Sequence, residues 1–148
     1  MYPTILVPLD GSQRAEAILE HVEALAGRFR SKVVFLIVEE APMLLEIDEV
    51  IDTGAYFQAR QRRKGELEAY LGRLQTRFRE KGIESAARIG SGPVVKTIFE
   101  TARKERADLV AMASHGWGGV ARTSYGSVSA AVLNGIDRPL LLIRSNGG

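Results

Sequence analysis

Three apolar runs constrain this chain more than any other feature. Thr4 to Leu9 (TILVPL), Lys32 to Val38 (KVVFLIV) and Leu109 to Ala113 (LVAMA) are short, continuous and without polar alternation. A strand with one wet face alternates with a period of two. A run that does not alternate is expected of a strand covered on both faces, as in a parallel sheet. A parallel neighbour is reached only through a crossover, usually a helix. The intervening segments supply one. Ile18, Val22, Leu25, Ala26 and Phe29 recur at helical spacing over Gln13 to Arg30, with Ser12 able to cap that helix. Leu67, Leu71, Leu74 and Phe78 form the apolar stripe of a long helix, about Tyr56 to Lys81, stopped by Gly82.

The rest of the chain continues the alternation. Glu84 to Ile89 reads as a weaker strand at a sheet edge. Gly90-Ser91-Gly92-Pro93 reads as a turn that places Pro93 at the first helical position. Val94, Val95, Ile98 and Ala102 make a helix ending near Arg106. Ser127 is a suitable N-cap for a helix carrying Val128, Ala131 and Val132 and stopping at Asn134-Gly135. Leu140 to Arg144, introduced by Pro139, is a last strand. Glu39 to Gly54 mixes acidic and aliphatic residues around Pro42 and reads as a surface excursion with a short helix near Leu44 to Ile51. The expected fold is α/β: an open, doubly wound, five-stranded parallel sheet in the order 3-2-1-4-5 with four main helices. A length of 148 residues suits one domain, expected to span positions 1–148.

Composition narrows the partners. Twenty Lys+Arg against eighteen Asp+Glu give a formal charge of +2, too balanced to argue for nucleic acid or a membrane surface. The one concentrated run, Arg60, Arg62, Arg63 and Lys64, is offset by Glu66, Glu68 and Glu80 and reads as a solvated helix face. There is no cysteine, hence no disulfide or thiol chemistry. No apolar run approaches the roughly 20 residues of a membrane span. The opening MYPTILVPLDGS lacks a basic start and turns too early for a signal peptide, so cytoplasm is the expected location.

In open α/β sheets, ligands sit beyond the carboxyl ends of the strands where strand order reverses, here between the first and fourth strands. The first strand ends at Asp10 and the fourth at Ala113. Gly116, Gly118 and Gly119 follow, then Gly126-Ser127 at the start of a helix. Glycines let the backbone approach an anion, and the free N–H groups of a first helical turn point at it. Asp10 is either a simple turn former or a contact for a ribose or a phosphate-bound metal; its place opposite the glycine loop favours the second. Other motifs fail. There is no G-K-[ST], and Val95 stands where a dinucleotide fingerprint starting at Gly90 needs its third glycine. The two histidines, His21 and His115, make no metal set, and no G-x-S-x-G elbow exists. No catalytic residue is assigned.

Val7-Pro8-Leu9-Asp10-Gly11-Ser12, then Met112-Ala113-Ser114-His115-Gly116, nine residues, and Gly126-Ser127 together resemble the universal stress protein family. The closing Pro139-Leu140-Leu141-Leu142-Ile143-Arg144 is similar to its last strand. The resemblance covers essentially the whole chain and is weakest over Glu39 to Gly54. It implies an adenine-nucleotide fold and an ATP site, with or without Mg2+, serving as a stress-response switch. By position, Gly116, Gly126 and Ser127 hold phosphates, Asp10 faces the ribose and phosphates, and Val38 lines the adenine pocket. Pro8, Leu9, Met112 and Ala113 are neighbours, and Val128 adds its backbone N–H. Ala113 replaces the family's first glycine, and Trp117 stands where a basic residue is frequent, with Arg122 nearby. The family also implies a homodimer through Leu140 to Ile143 and a further protein partner. The rival readings are an interaction module of the same fold without nucleotide, and a slow ATPase.

Overall fold

In the computed structural model, residues 1–40, 53–114 and 126–145 are described. The three unalternating runs become the three interior strands: β1 (Thr4–Leu9), β2 (Lys32–Glu39) and, later in the chain, β4 (Leu109–Ala113). The less apolar β3 (Ser85–Ser91) and the short β5 (Leu140–Ile143) take the edges, giving the order β3-β2-β1-β4-β5. Every neighbouring pair is parallel, with Val7 opposite Phe35 and Ala113 opposite Ile143. An interior strand loses solvent on both faces and along both sides, so only continuous apolar sequence is stable there. An edge strand tolerates Ser85, Arg88 and Ser91.

The hidden period of two appears as a division between two cores. Ile5, Val7 and Leu9 of β1, with Val33, Phe35 and Ile37 of β2, face α1 (Leu19–Phe29) and α2 (Thr53–Glu80). Leu6, Val34, Leu36, Val38, Val110 and Met112 face α3 (Val94–Lys104) and α4 (Ser127–Gly135). The stripe of α2 is buried as expected, and Phe78 meets Phe35 edge to face at 5.0 Å. Arg60, Arg62, Arg63 and Lys64 lie exposed on the same helix. Between the helices, Glu23 of α1 receives Arg77 at 2.8 Å and Lys81 at 3.2 Å. Arg138 donates to the carbonyls of Ala102 and Ala107, closing the end of α3.

Local chemistry moves several boundaries from their expected places. The first helix begins later than Gln13, as a single 3-10 turn over Ala15–Ile18 before α1. The Asp10 carboxylate accepts from the Ser12 N–H, and the Ser12 hydroxyl accepts from the Ala15 N–H, so the segment up to Arg14 is spent on the turn. Gly90 and Ser91 belong to β3 rather than to a turn, because β2 carries the ladder on to Glu39 opposite Ser91. Pro93 is the N-cap of α3, with an extended ψ of 134°, and not its first helical residue. Gly126, with ψ 157°, caps α4, so Ser127 is the first helical residue rather than the cap. The short helix expected near Leu44 to Ile51 lies outside the described residues.

Candidate functional site

Among the described residues, two places at opposite ends of the sheet bear on a ligand. At the amino ends of the strands a cavity of about 440 Å³ lies among Pro3, Arg30, Lys32, Lys81 and Glu84. There α1 and α2 end, so their unpaired carbonyls make that end negative, and these cations complement it. The carboxyl ends have the opposite polarity. Gly126 caps α4 without any side-chain bond, leaving the first-turn N–H groups of Ser127 and Val128 without a capping side chain.

The expected site residues gather there on four elements, β1, β2, β4 and α4. Pro8 and Leu9 are buried at the end of β1, Leu9 in the α1/α2 core. Their side chains are committed to packing, so backbone is what they offer. Asp10, half-buried, follows directly, and one of its oxygens is held 2.9 Å from the Ser12 N–H. Met112 is fully buried in the α3/α4 core, and Ala113 ends β4. Strand alternation puts the Ala113 methyl on the face opposite Met112, away from α4. The methyl that replaces the family glycine is therefore not aimed at the helix N-terminus. Val38, on the strand beside β1, is the next-to-last residue of β2, opposite Gly90, and packs in the α3/α4 core. Gly126 is buried, Ser127 exposed and Val128 half-buried. Gly116, with His115, Trp117 and Arg122, lies outside the described residues.

What ties β4 to α4 was not expected from sequence. The Ser114 carbonyl accepts the Gly126 N–H at 2.7 Å and the Ser129 hydroxyl at 2.8 Å. Ser129 is fully buried, and its oxygen also lies 3.0 Å from the Gly126 carbonyl. The sequence signal was slight: a serine three residues after Gly126, on the apolar side of a helix. Ser114 itself continues the ladder, its N–H donating to the Ile143 carbonyl at 2.8 Å. Its backbone is thus fully bonded on both sides of the strand end.

Tyr70 reaches the same end from α2. Its hydroxyl donates to Glu16 at 3.0 Å. Burial first, then the carboxylates of Glu16 and Asp10, push the phenol well above its ordinary value, so Tyr70 remains a neutral donor. The interaction with Asp10 places α2 within electrostatic reach of the turn after β1. Among the described residues no group of three or more His, Asp or Glu side chains stands together as a metal site. No helix among them is long and apolar enough to cross a membrane.

A five-stranded parallel sheet in the order β3-β2-β1-β4-β5, with helices on both faces and strand order reversing between β1 and β4, defines the class: an open, doubly wound α/β fold. The chain belongs to the universal stress protein family, whose model matches residues 1–144. It is 24% identical over 144 residues to a universal stress protein of Methanocaldococcus jannaschii, covering 97% of this chain and 83% of that one. Its fold is similar to that of a hypothetical protein solved as a test case of structural genomics, with a TM-score of 0.87. Identity there is 23%, over 100% of this chain and 99% of that one. It is also similar to a universal stress protein family member from Arabidopsis thaliana solved with AMP bound. There the TM-score is 0.69 and identity 18%, over 97% of this chain and 92% of that one.

Proposed function

We propose that this protein binds an adenine nucleotide, ATP in the first place, across the carboxyl ends of β1 and β4 as a regulatory ligand. The observation that carries this reading is the convergence of the Asp10 turn, the end of β4 and the uncapped first turn of α4 at the switch point of the sheet. The first turn supplies N–H groups and a positive dipole end for phosphate. Asp10 has a second carboxylate oxygen for a ribose hydroxyl. Val38, near the end of β2, offers its backbone beside adenine, its side chain being packed in the α3/α4 core. A relative solved with AMP supports the same ligand class. Magnesium enters as part of the ligand when ATP carries it, and no step depends on a protein-held metal. Turnover is slow in this reading. Fast phosphoryl transfer needs a positioned nucleophile and charge stabilisation beyond phosphate cradling, and the residues assigned here hold phosphate without supplying either.

The test begins with mass spectrometry of any ligand released from the purified protein. Isothermal titration with ATP, ADP and AMP follows, and then an assay of phosphate release. Saturable binding with negligible release is expected. Absence of binding for all three would hand the case to a protein-interaction module without nucleotide. Several turnovers per second would make the protein an enzyme.

A further inference from the structure

A group buried at the end of β4 has no protein partner. Among the described residues three buried hydroxyls lack any hydrogen bond: those of Ser31, Ser114 and Ser145. Ser31 lies at the amino ends of the strands and Ser145 beyond β5. Ser114 alone stands under the first turn of α4, where its carbonyl is held by Gly126 and Ser129. The residue is only 1% exposed, so bulk water does not satisfy the hydroxyl. The ladder continues through the Ser114 N–H to Ile143, so alternation still applies. It puts the Ser114 side chain on the face of Val110 and Met112, the face that α4 covers. A buried hydroxyl left without a partner costs on the order of 1–3 kcal/mol. Nothing in the packing requires it, because alanine would fill nearly the same space.

We infer that Ser114 is a ligand-binding residue: its hydroxyl donates to a phosphate oxygen seated at the N-terminus of α4. The inference rests on the nucleotide reading above and adds to it one side-chain donor from β4. Two independent features meet at this point. The helix end presents backbone N–H groups that no side chain caps, and the strand end presents a hydroxyl that no protein atom accepts from. A tetrahedral phosphate presents several oxygens at once, so one group can receive both sets of donors. An uncharged ribose or base edge could not use the helix end in the same way.

The experiment compares the full chain with Ser114→Ala. Calorimetric titrations use adenosine, AMP and ATP, and thermal melts are run without ligand. Removing an unsatisfied hydroxyl should leave the melting temperature of the free protein unchanged or raised. Affinity for AMP and ATP should fall about tenfold, the loss of one hydrogen bond to a charged group. Affinity for adenosine should stay the same. Ser114→Thr, which retains a hydroxyl, should recover part of the AMP affinity. Equal AMP affinity in wild type and Ser114→Ala would overturn the inference and leave the nucleotide site standing. So would a parallel loss for adenosine with a lowered melting temperature, which would mark Ser114 as structural. A wild-type protein that binds neither AMP nor ATP would overturn the nucleotide reading, and this inference with it.

Discussion

The Ser129 hydroxyl, fully buried in α4, donates to the carbonyl of Ser114 at 2.8 Å, across fifteen residues of sequence. With the Gly126 N–H, which donates to the same carbonyl at 2.7 Å, it ties the start of the helix to the end of β4. Ser129→Ala should leave the Ser114 carbonyl with only the Gly126 N–H and cost about 0.5–1.5 kcal/mol. Urea denaturation should show a lower midpoint with an unchanged slope. Full stability in this variant would mean that the Gly126 bond holds the junction alone.

Asp10 has two roles that separate by measurement. As a turn former it caps the Ser12 N–H outside the core, so Asp10→Ala should cost at most about 1–2 kcal/mol of stability. As a ligand contact its loss should weaken ATP binding far more. Isothermal titration on the two variants decides, and unchanged affinity would remove Asp10 from the site.

Gly90 is required by a neighbour, not by its backbone angles. An added Cβ would lie 2.6 Å from Cγ2 of Thr97 and 3.7 Å from Leu36. Gly90→Ala should therefore destabilise the fold by about 1–3 kcal/mol through overpacking. Thr97→Ser removes the clashing methyl while keeping the hydroxyl that donates to the Pro93 carbonyl at 2.7 Å. The double variant should melt above Gly90→Ala, and failure to recover would place the strain elsewhere.

Glu23 links stability to acid. Burial raises its pKa, but hydrogen bonds and charge from Arg77 and Lys81 outweigh that and leave it below the ordinary carboxylate value. A carboxyl depressed in the folded state adds stability above its unfolded pKa. That contribution is lost as pH falls through the folded value. Glu23→Gln should thus lower stability at neutral pH and flatten the acid limb below about pH 4.3. Arg77 and Lys81 are largely exposed, so the effect at neutral pH should stay within about 1 kcal/mol. Denaturant melts from pH 7 to pH 3 give both quantities. An acid limb as steep in the variant as in wild type would show that Glu23 does not set it.

Among the described residues the edge strand β5 pairs only with β4, and Leu140 to Ile143 are all half-buried. An open apolar edge invites a second strand, and a two-fold partner closes it without fibre growth. A homodimer through this strand is the expected state. Leu142→Pro removes one donor and should shift sedimentation toward monomer in a chain that stays folded. A monomeric wild type at tens of micromolar (roughly the range that suits a standard interface) would end this expectation.

Strand identity, sheet order and helix count were legible because each rests on local sequence. Burial on two faces demands uninterrupted apolar runs, and Thr4–Leu9 and Leu109–Ala113 follow them to the residue. The place where strand order reverses, between β1 and β4, was legible too, since it follows from that order. Boundaries shifted wherever side chains competed with the backbone, as at Ser12, or where a neighbouring strand prolonged a ladder, as at Gly90. Long-range relations could not be read in this way. The atom that a Cβ at Gly90 would meet is a methyl on Thr97, and the Ser114 carbonyl at the end of β4 is bonded by Gly126 and by Ser129 of α4. The Ser114 hydroxyl was inconspicuous in sequence, because a serine after a strand usually finds water or backbone. Periodicity records how each segment divides between solvent and core. Only the packed chain decides which polar atoms meet inside that core and which are left for a ligand.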